Sequence, residues 1–148
     1  MRYLDDFAPG EVLEMGSFSF TEQEIIDFAL QFDPQPFHID REAAAKSIYG
    51  GIIASGWHTC GKMMRLFTDG LLNHSASMGS PGLDQVRWLK PVRPGDVLTM
   101  RFVIEDVRPS RSKPDRGIIH SVWQLHNQHG EQVCEIKSMG MFGRRVVV

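Results

Sequence analysis

Hydrophobic positions in the first quarter of the chain follow first a strand pattern and then a helical one. The segment that ends near Phe20 is predicted to be a strand, and the apolar positions within residues 25–32 recur three or four apart, which predicts a helix. Thr21 and Glu24 make the capping-box pattern that starts such a helix. Pro34 disfavours helical geometry in the residue before it, so the helix is predicted to end there.

The most apolar helix is predicted after a glycine-rich loop. Asp40 first caps a short helical segment over residues 41–47, and helical spacing returns at Gly56 and ends at Gly70. Gly61 is expected to let this helix lie close to a neighbouring backbone. The predicted apolar stripe consists of Trp57, Cys60, Met64, Phe67 and Leu71.

Beyond Ser80 the spacing changes from helical to alternating. Residues 97–107 place apolar side chains on one face and polar ones on the other, as in a strand with one buried side. Further strands are predicted over residues 83–92, 118–127 and 131–143. Helices followed by a run of long strands indicate an α+β fold with an antiparallel sheet, and we expect the sheet to curl around the apolar helix.

Composition narrows the class of protein. The chain has 148 residues, 42% of them hydrophobic and 23% charged, which fits a single domain over residues 1–148. A formal net charge of −2 gives no bulk reason to expect a nucleic-acid partner. Two cysteines make no disulfide framework, and no window resembles a signal peptide core or a membrane span. We therefore expect a cytoplasmic protein.

The segment FDPQPFHID, residues 32–40, combines a carboxylate and an imidazole with two prolines. Asp33 and His38 are the side-chain types that general acid–base catalysis uses on a shared water or substrate. Pro34 and Pro36 each fix one φ angle, which lowers the entropy cost of holding the two groups in place. A stiff structural turn with an incidental surface histidine is the alternative interpretation.

Gly56 stands at the predicted start of the apolar helix. The first amides of a helix have no partner inside it and carry the positive end of its dipole, so an N–H there can act as an oxyanion hole. A glycine also lets a ligand approach the backbone closely. The alternative is a purely structural glycine, with Ser55 as an ordinary helix cap.

Other polar clusters carry weaker signals. His126 and His129 have a spacing found in zinc sites but lack a second pair of ligands, so we interpret them as a solvated turn and predict no metal site. Several basic residues are candidates to meet the phosphates of a ligand, with solvated surface as the default interpretation. These candidates are Arg87, Lys90, Arg93, Arg111, Lys113 and Arg116.

Three segments of the chain resemble one known family. FDPQPFHID, GGIIASGWHT and LKPVRPGDVL are similar to the motifs of the MaoC-like dehydratases, which include the (R)-specific enoyl-CoA hydratases. The resemblance spans nearly the whole chain. It implies the hotdog fold, in which a curved antiparallel sheet wraps a long central helix. It also implies that Asp33 and His38 are the catalytic pair and that Gly56 provides the oxyanion-hole amide.

The chain departs from the family pattern at several positions. Phe32 stands where the family usually has glycine, Gln35 replaces the usual asparagine, and Pro34 is additional. Met64 lies near the place of a common small serine. These changes leave the acid–base pair intact and concern the substrate pocket, whose predicted lining is Phe32, Gln35, Phe37, Ser55 and Trp57.

The activity implied by the resemblance is reversible hydration of a 2-enoyl-CoA to a (3R)-3-hydroxyacyl-CoA. It implies a thioester of coenzyme A or acyl carrier protein as the substrate and no metal or redox cofactor. It also implies a homodimer or a higher assembly with sites at the subunit interface. Three alternatives stay open: an acyl-CoA thioesterase of the same fold, a non-catalytic acyl-CoA binding protein, and a hydratase for branched or dicarboxylic enoyl-CoA.

Overall fold

This computed structural model describes residues 1–145, which contain four α-helices, two short 3-10 helices and one five-stranded sheet. The predicted domain extends to residue 148, so its residues 146–148 lie outside the described part. No helix within residues 1–145 is long and apolar enough to cross a membrane. The helices are α1 (Glu22–Phe32), α2 (Pro36–Ile39), α3 (Arg41–Lys46) and α4 (Gly56–Gly70). The strands are β1 (Val12–Phe18), β2 (Gly82–Trp88), β3 (Leu98–Pro109), β4 (Arg116–His126) and β5 (Gln132–Gly143).

The sheet is antiparallel throughout, in the order β1-β3-β4-β5-β2. The predicted α+β fold with an antiparallel sheet is confirmed. β2 pairs only with β5 within the described residues and is therefore one edge of the sheet. It ends at Trp88, before Pro91, because proline removes a backbone donor that a continued ladder would need.

The core lies between α4 and the inner face of the sheet. The alternation predicted for β3 is confirmed, because Leu98, Met100 and Phe102 are all buried on one face. Phe67 of α4 packs on two aromatic side chains of the sheet. Its ring centroid lies 4.8 Å from that of Phe102 and 4.7 Å from that of Trp123. These contacts fix α4 as the central helix against which the strands curve.

The predicted apolar stripe of α4 is confirmed at the buried Phe67 and Leu71 and is wrong at Trp57 and Met64. The buried positions are Thr59, Met63 and Phe67, which follow one another at intervals of one helical turn. Trp57 is 60% exposed and Met64 42% exposed, although both were placed on the apolar stripe. Apolar residues occupy two sides of this helix, and spacing alone does not tell which side meets the sheet. Outside its own helix and chain neighbours, no part of residues 1–145 lies within 4 Å of a Cβ built at Gly61, so the described residues do not supply the neighbouring backbone expected there.

The helix boundaries around the polar motif follow local signals. The capping box of α1 is confirmed, because the Thr21 side chain accepts from the Glu24 amide at 3.1 Å and Glu24 accepts from the Thr21 amide at 3.0 Å. α1 ends at Phe32, before the proline, as predicted. Asp40 caps α3 by accepting from the first amides of that helix. The single turn of α2 was not predicted, and it starts with Pro36 at its first position.

The central helix and sheet make a clear prediction about stability. Replacing the buried Leu98 by alanine is expected to lower the free energy of unfolding by about 2–5 kcal/mol, because the cavity left between sheet and helix is not refilled. Leu30→Ala, on the exposed side of α1, is the matched control and should change it by less than about 0.5 kcal/mol. Chemical denaturation of both variants measures the difference, and equal losses would contradict this assignment of the core.

Candidate active site

Asp33 and His38 meet in the space between the end of α1 and α2. Nε2 of the buried His38 lies 3.2 Å from Oδ2 of Asp33. Nδ1 of the same ring lies 2.6 Å from the carbonyl oxygen of Ile53. Because a carbonyl only accepts, Nδ1 carries a hydrogen in this contact. Nε2 is therefore the ring nitrogen that can exchange a proton with Asp33 or with a bound molecule.

The carboxylate of Asp33 accepts two further hydrogen bonds. Nε2 of Gln35 donates to Oδ1 at 2.6 Å, and the hydroxyl of Ser55 donates to Oδ2 at 2.8 Å. Partial burial raises the pKa of Asp33, but the hydrogen bonds from Gln35 and Ser55 and the neighbouring His38 outweigh burial and bring the pKa below its ordinary value. Asp33 is thus ionised at neutral pH and can accept a proton.

The two prolines position this pair through the backbone. Pro34 stops α1, and Pro36 occupies the first position of α2, where its missing N–H costs no helical hydrogen bond. The single turn of α2 places His38 on the same side as Asp33. The amide of Ile53 donates to the carbonyl of Phe37 at 3.2 Å, which joins α2 to the segment that leads into α4.

Ser55 and Gly56 form the start of α4. Ser55 occupies the cap position, but its side chain makes no capping hydrogen bond and donates to Asp33 instead. The interpretation of Ser55 as an ordinary side-chain cap is therefore wrong, because its hydroxyl is turned towards the carboxylate of Asp33 and accepts from no helix amide. Gly56 is the first helical residue, so its N–H has no partner inside the helix.

Trp88 covers Gly56, a contact that the sequence did not suggest. A Cβ built on Gly56 would lie 2.5 Å from the indole Nε1 of Trp88, so only glycine fits beneath the ring as it stands. Trp88 also meets Trp57 edge to face, with ring centroids 5.3 Å apart. Trp88 belongs to the edge strand and Gly56 to the central helix. The sequence predicted the strand that contains Trp88, but it did not indicate that Trp88 packs on Gly56.

These groups share a cavity of about 440 Å³. Seven predicted residues line it: Asp33, Gln35, Phe37, His38, Gly56, Trp57 and Lys90. The wall also includes residues that were not predicted, among them Tyr49, Ile53, Thr59, Trp88 and Val92. The acid–base pair, an unpaired helix N-terminal amide and aromatic walls thus surround one space.

Other predicted residues lie elsewhere. Phe32 is 69% exposed and packs on Phe28, with ring centroids 5.0 Å apart, because it ends α1 on the solvent side. Ser55 is fully buried behind Asp33 rather than on the cavity wall. Lys90 does line the cavity, but its side chain is paired with Glu131. Four basic candidates are absent from the lining of this cavity: Arg87, Arg93, Arg111 and Lys113.

Arg116, the last basic candidate, is ion-paired, and among the described residues the two histidines belong to no group of side chains that could bind a metal. Arg116 pairs with Asp115, and its guanidinium lies 2.9 Å from that carboxylate. His126 closes β4, and His129 lies in the turn that follows. Within the part of the chain that the structure describes, no three His, Cys, Asp or Glu side chains are grouped as a metal site would require.

Comparison with known proteins decides the family. The model of the MaoC like domain matches residues 6–122. The chain belongs to the MaoC-like domain family. A MaoC-like dehydratase from Rhodospirillum rubrum superposes with a TM-score of 0.87 at 36% identity, covering 98% of this chain and 99% of that one. The uncharacterized protein YdeM of Bacillus subtilis is 31% identical over 132 residues, which are 89% of this chain and 92% of that protein.

A more distant structure bears on the fold alone. The (R)-hydratase from A. caviae, described as involved in PHA biosynthesis, superposes with a TM-score of 0.73 at 21% identity. The match covers 92% of this chain and 96% of the hydratase. The fold is the hotdog fold, as the sequence resemblance implied.

The contact between Trp88 and Gly56 can be tested without a substrate. Gly56→Ala is expected to lower the free energy of unfolding by about 1–3 kcal/mol, because the added methyl group overlaps the indole and forces it aside. In a Trp88→Ala background the same substitution meets no indole and should cost clearly less. Denaturation of the four proteins completes the cycle, and an equal cost in both backgrounds would show that the contact is not the cause.

Proposed function

We propose that this protein reversibly hydrates a 2-enoyl thioester of coenzyme A or acyl carrier protein to the 3-hydroxyacyl thioester. Family membership supports hydratase or dehydratase chemistry in general. The observation that carries the proposal is the 3.2 Å contact between Asp33 and His38 on the wall of a cavity that also presents the Gly56 amide. The (3R) configuration follows by analogy with the (R)-hydratase named above.

In the proposed reaction the thioester carbonyl oxygen lies at the Gly56 N–H. Addition of hydroxide to the β-carbon moves negative charge onto that oxygen, and the enolate-like state is stabilised by the amide and by the positive end of α4. Trp88 forms one wall beside this amide and limits the directions from which the carbonyl can approach. The thioester thereby has its α- and β-carbons directed towards Asp33 and His38.

The proton steps use the two side chains in turn. Asp33, ionised in the free protein, holds the water and takes one of its protons as the new C–O bond forms. In this step His38 is the imidazolium, with Nδ1–H on the Ile53 carbonyl, and it delivers its Nε2 proton to the α-carbon and becomes neutral. The proton on Asp33 then crosses to Nε2, and both residues return to their initial states. Dehydration is the same sequence in reverse.

An apolar cavity beside α4 provides a place for the acyl chain. Its volume is about 140 Å³, and Met64, Phe67 and Leu83 are among its lining residues. Phe67 follows Gly56 by three turns of the same helix, which corresponds to roughly 16 Å along its axis. A chain bound with its thioester at Gly56 can follow α4 into this cavity. Short enoyl groups would end before it.

We further propose a homodimer formed through the β2 edge. Several large apolar side chains are exposed in the single chain. They are Trp57 and Met64 on α4, and Leu83, Trp88 and Leu89 on or next to β2. Some of them line the two cavities, so a second copy seated here would also complete the walls of the site. Gly61, with open space around it, lies on the same side of α4 as Trp57 and would allow close contact between two helices.

The catalytic pair is tested with crotonyl-CoA. The wild-type protein is expected to remove the conjugated enoyl absorbance without releasing free thiol. Asp33→Asn and His38→Gln are each expected to lower kcat/KM by about 10²–10⁴, because each removes a group that moves a proton in the reaction. Asp27→Asn, an exposed carboxylate of α1, is the matched control and should retain wild-type rates.

The same assay distinguishes the alternatives. Thiol release at an unchanged rate in Asp33→Asn would indicate a thioesterase that does not depend on this pair. Tight binding of acyl-CoA without turnover of any enoyl or hydroxyacyl thioester would indicate a binding protein. Either result would contradict the proposed hydration.

The dimer is tested by sedimentation equilibrium. We expect the mass of two chains at micromolar concentration, and we expect Leu83→Asp to shift the distribution towards one chain, since it places a charge on the apolar edge. Val12→Asp, an exposed apolar residue of the opposite edge strand, is the control that should leave the mass unchanged. A monomeric wild-type protein, or equal effects of both substitutions, would contradict this interface.

A further inference from the structure

The two cysteines of the chain lie on facing elements, Cys60 on α4 and Cys134 on β5, and both thiols are free. Cys134 stands directly opposite Trp88 in the pairing of β5 with β2, so these two side chains leave the sheet on the same face. α4 packs on that face, because the indole of Trp88 covers Gly56. Cys60 follows Gly56 by four positions and lies one helical turn further along the same side of α4. The fold therefore directs the two thiols towards each other.

The thiol of Cys60 is in hydrogen-bond contact with that of Cys134. An S–S bond is about 2.0 Å long, so a short approach of the two sulfur atoms is enough to form it. The two thiols differ in exposure, since Cys60 is half-buried and Cys134 is fully buried. A small reagent in solvent therefore meets Cys60 first.

This contact makes the two thiols chemically unequal. The hydrogen bond from Cys134 lowers the pKa of Cys60 more than partial burial raises it, and the indole of Trp88 lowers the same pKa further. The hydrogen bond to Cys60, burial and the neighbouring thiolate charge together raise the pKa of Cys134. Because the thiolate is the form that reacts with oxidants, Cys60 reacts first, and Cys134 is the second thiol held beside it.

We propose that Cys60 and Cys134 are a redox modification site, at which hydrogen peroxide closes a reversible disulfide that regulates the neighbouring Gly56 amide. In the first step the Cys60 sulfur attacks a peroxide oxygen, the O–O bond breaks, and Cys60 becomes a sulfenic acid as one water is released. In the second step the Cys134 sulfur attacks the Cys60 sulfur, the S–S bond forms and the S–O bond breaks. The leaving hydroxide takes the Cys134 proton and becomes the second water. The two thiols together lose two electrons, and the peroxide gains them.

Trp88 connects this pair of cysteines to the candidate active site. Its indole contacts the Cys60 thiol and also covers Gly56, which lies one turn earlier in α4. A disulfide draws this part of α4 towards β5 and replaces the thiol that the indole contacts. The indole then shifts over the Gly56 amide, which the proposed hydration uses for the thioester carbonyl. This link rests on the proposed hydration, whereas the disulfide itself does not.

The modification is tested on the whole chain with hydrogen peroxide. Titration of free thiols is expected to show the loss of both, and digestion without reductant should yield the peptides of Cys60 and Cys134 joined to each other. Dithiothreitol should restore both thiols by exchange with the disulfide. Two thiols that persist in peroxide, or a sulfinic acid at Cys60 beside a free Cys134, would overturn the redox site.

The link to Gly56 is tested with crotonyl-CoA. The oxidised protein is expected to lose about tenfold in kcat/KM, because a displaced indole misaligns the thioester, and dithiothreitol should restore the rate. Methionine sulfoxide needs an enzyme for its reduction, so recovery with dithiothreitol identifies the disulfide as the cause. A disulfide that leaves kcat/KM unchanged would overturn this link.

Variants with one cysteine are the matched controls. Cys60→Ser should keep its Cys134 thiol under the conditions that oxidise the wild type, since Cys134 is buried. Cys134→Ser should lose its one thiol without a disulfide inside the chain, because Cys60 then proceeds to the sulfinic acid. Oxidation of Cys134 at the wild-type rate in Cys60→Ser would contradict the assigned order. If the reduced protein hydrates no enoyl-CoA, the proposed hydration and the link to Gly56 both fall, and the thiol titration still decides the disulfide.

Discussion

A partly buried carboxylate determines how the site is built. Asp33 accepts hydrogen bonds from Gln35 and Ser55 and contacts His38, so one charge connects the end of α1, the turn of α2 and the start of α4. A carboxylate in this position is stable only if such donors surround it. The contacts that keep Asp33 ionised are thus the contacts that hold three chain segments together. The geometry of the candidate site and the local folding have the same cause here.

Sequence signals were sufficient where one residue type decides the local geometry. Thr21 and Glu24 cap α1, Pro34 ends it and Asp40 caps α3, each through groups within a few positions of one another. The alternation of buried and exposed side chains along β3 could likewise be predicted from the residues of that strand. The pair Asp33 and His38 was found because prolines at fixed spacing constrain a short segment, and the structure brings the two side chains together.

Contacts between segments that are distant in the chain could not be predicted from local sequence signals. The side of α4 that meets the sheet depends on the whole core, so the exposed Trp57 was placed on the apolar stripe and the buried Thr59 was not. The packing of Trp88 on Gly56 joins an edge strand to a helix start, and neither local pattern specifies the other. Gln35 was assigned to the substrate by its place in the motif, whereas in the structure its amide is bonded to Asp33.

The position of Trp88 links ligand binding to subunit association in the proposed dimer. The residue ends the edge strand β2 and also covers the amide at the start of α4. In the proposed dimer, this strand is held by both subunits, so a ligand that displaces the indole must also act on the interface. Reciprocity then requires that ligand occupancy change the affinity between subunits by the same factor by which association changes the affinity for the ligand. The indole beside the Gly56 amide would in this way make ligand affinity a function of protein concentration.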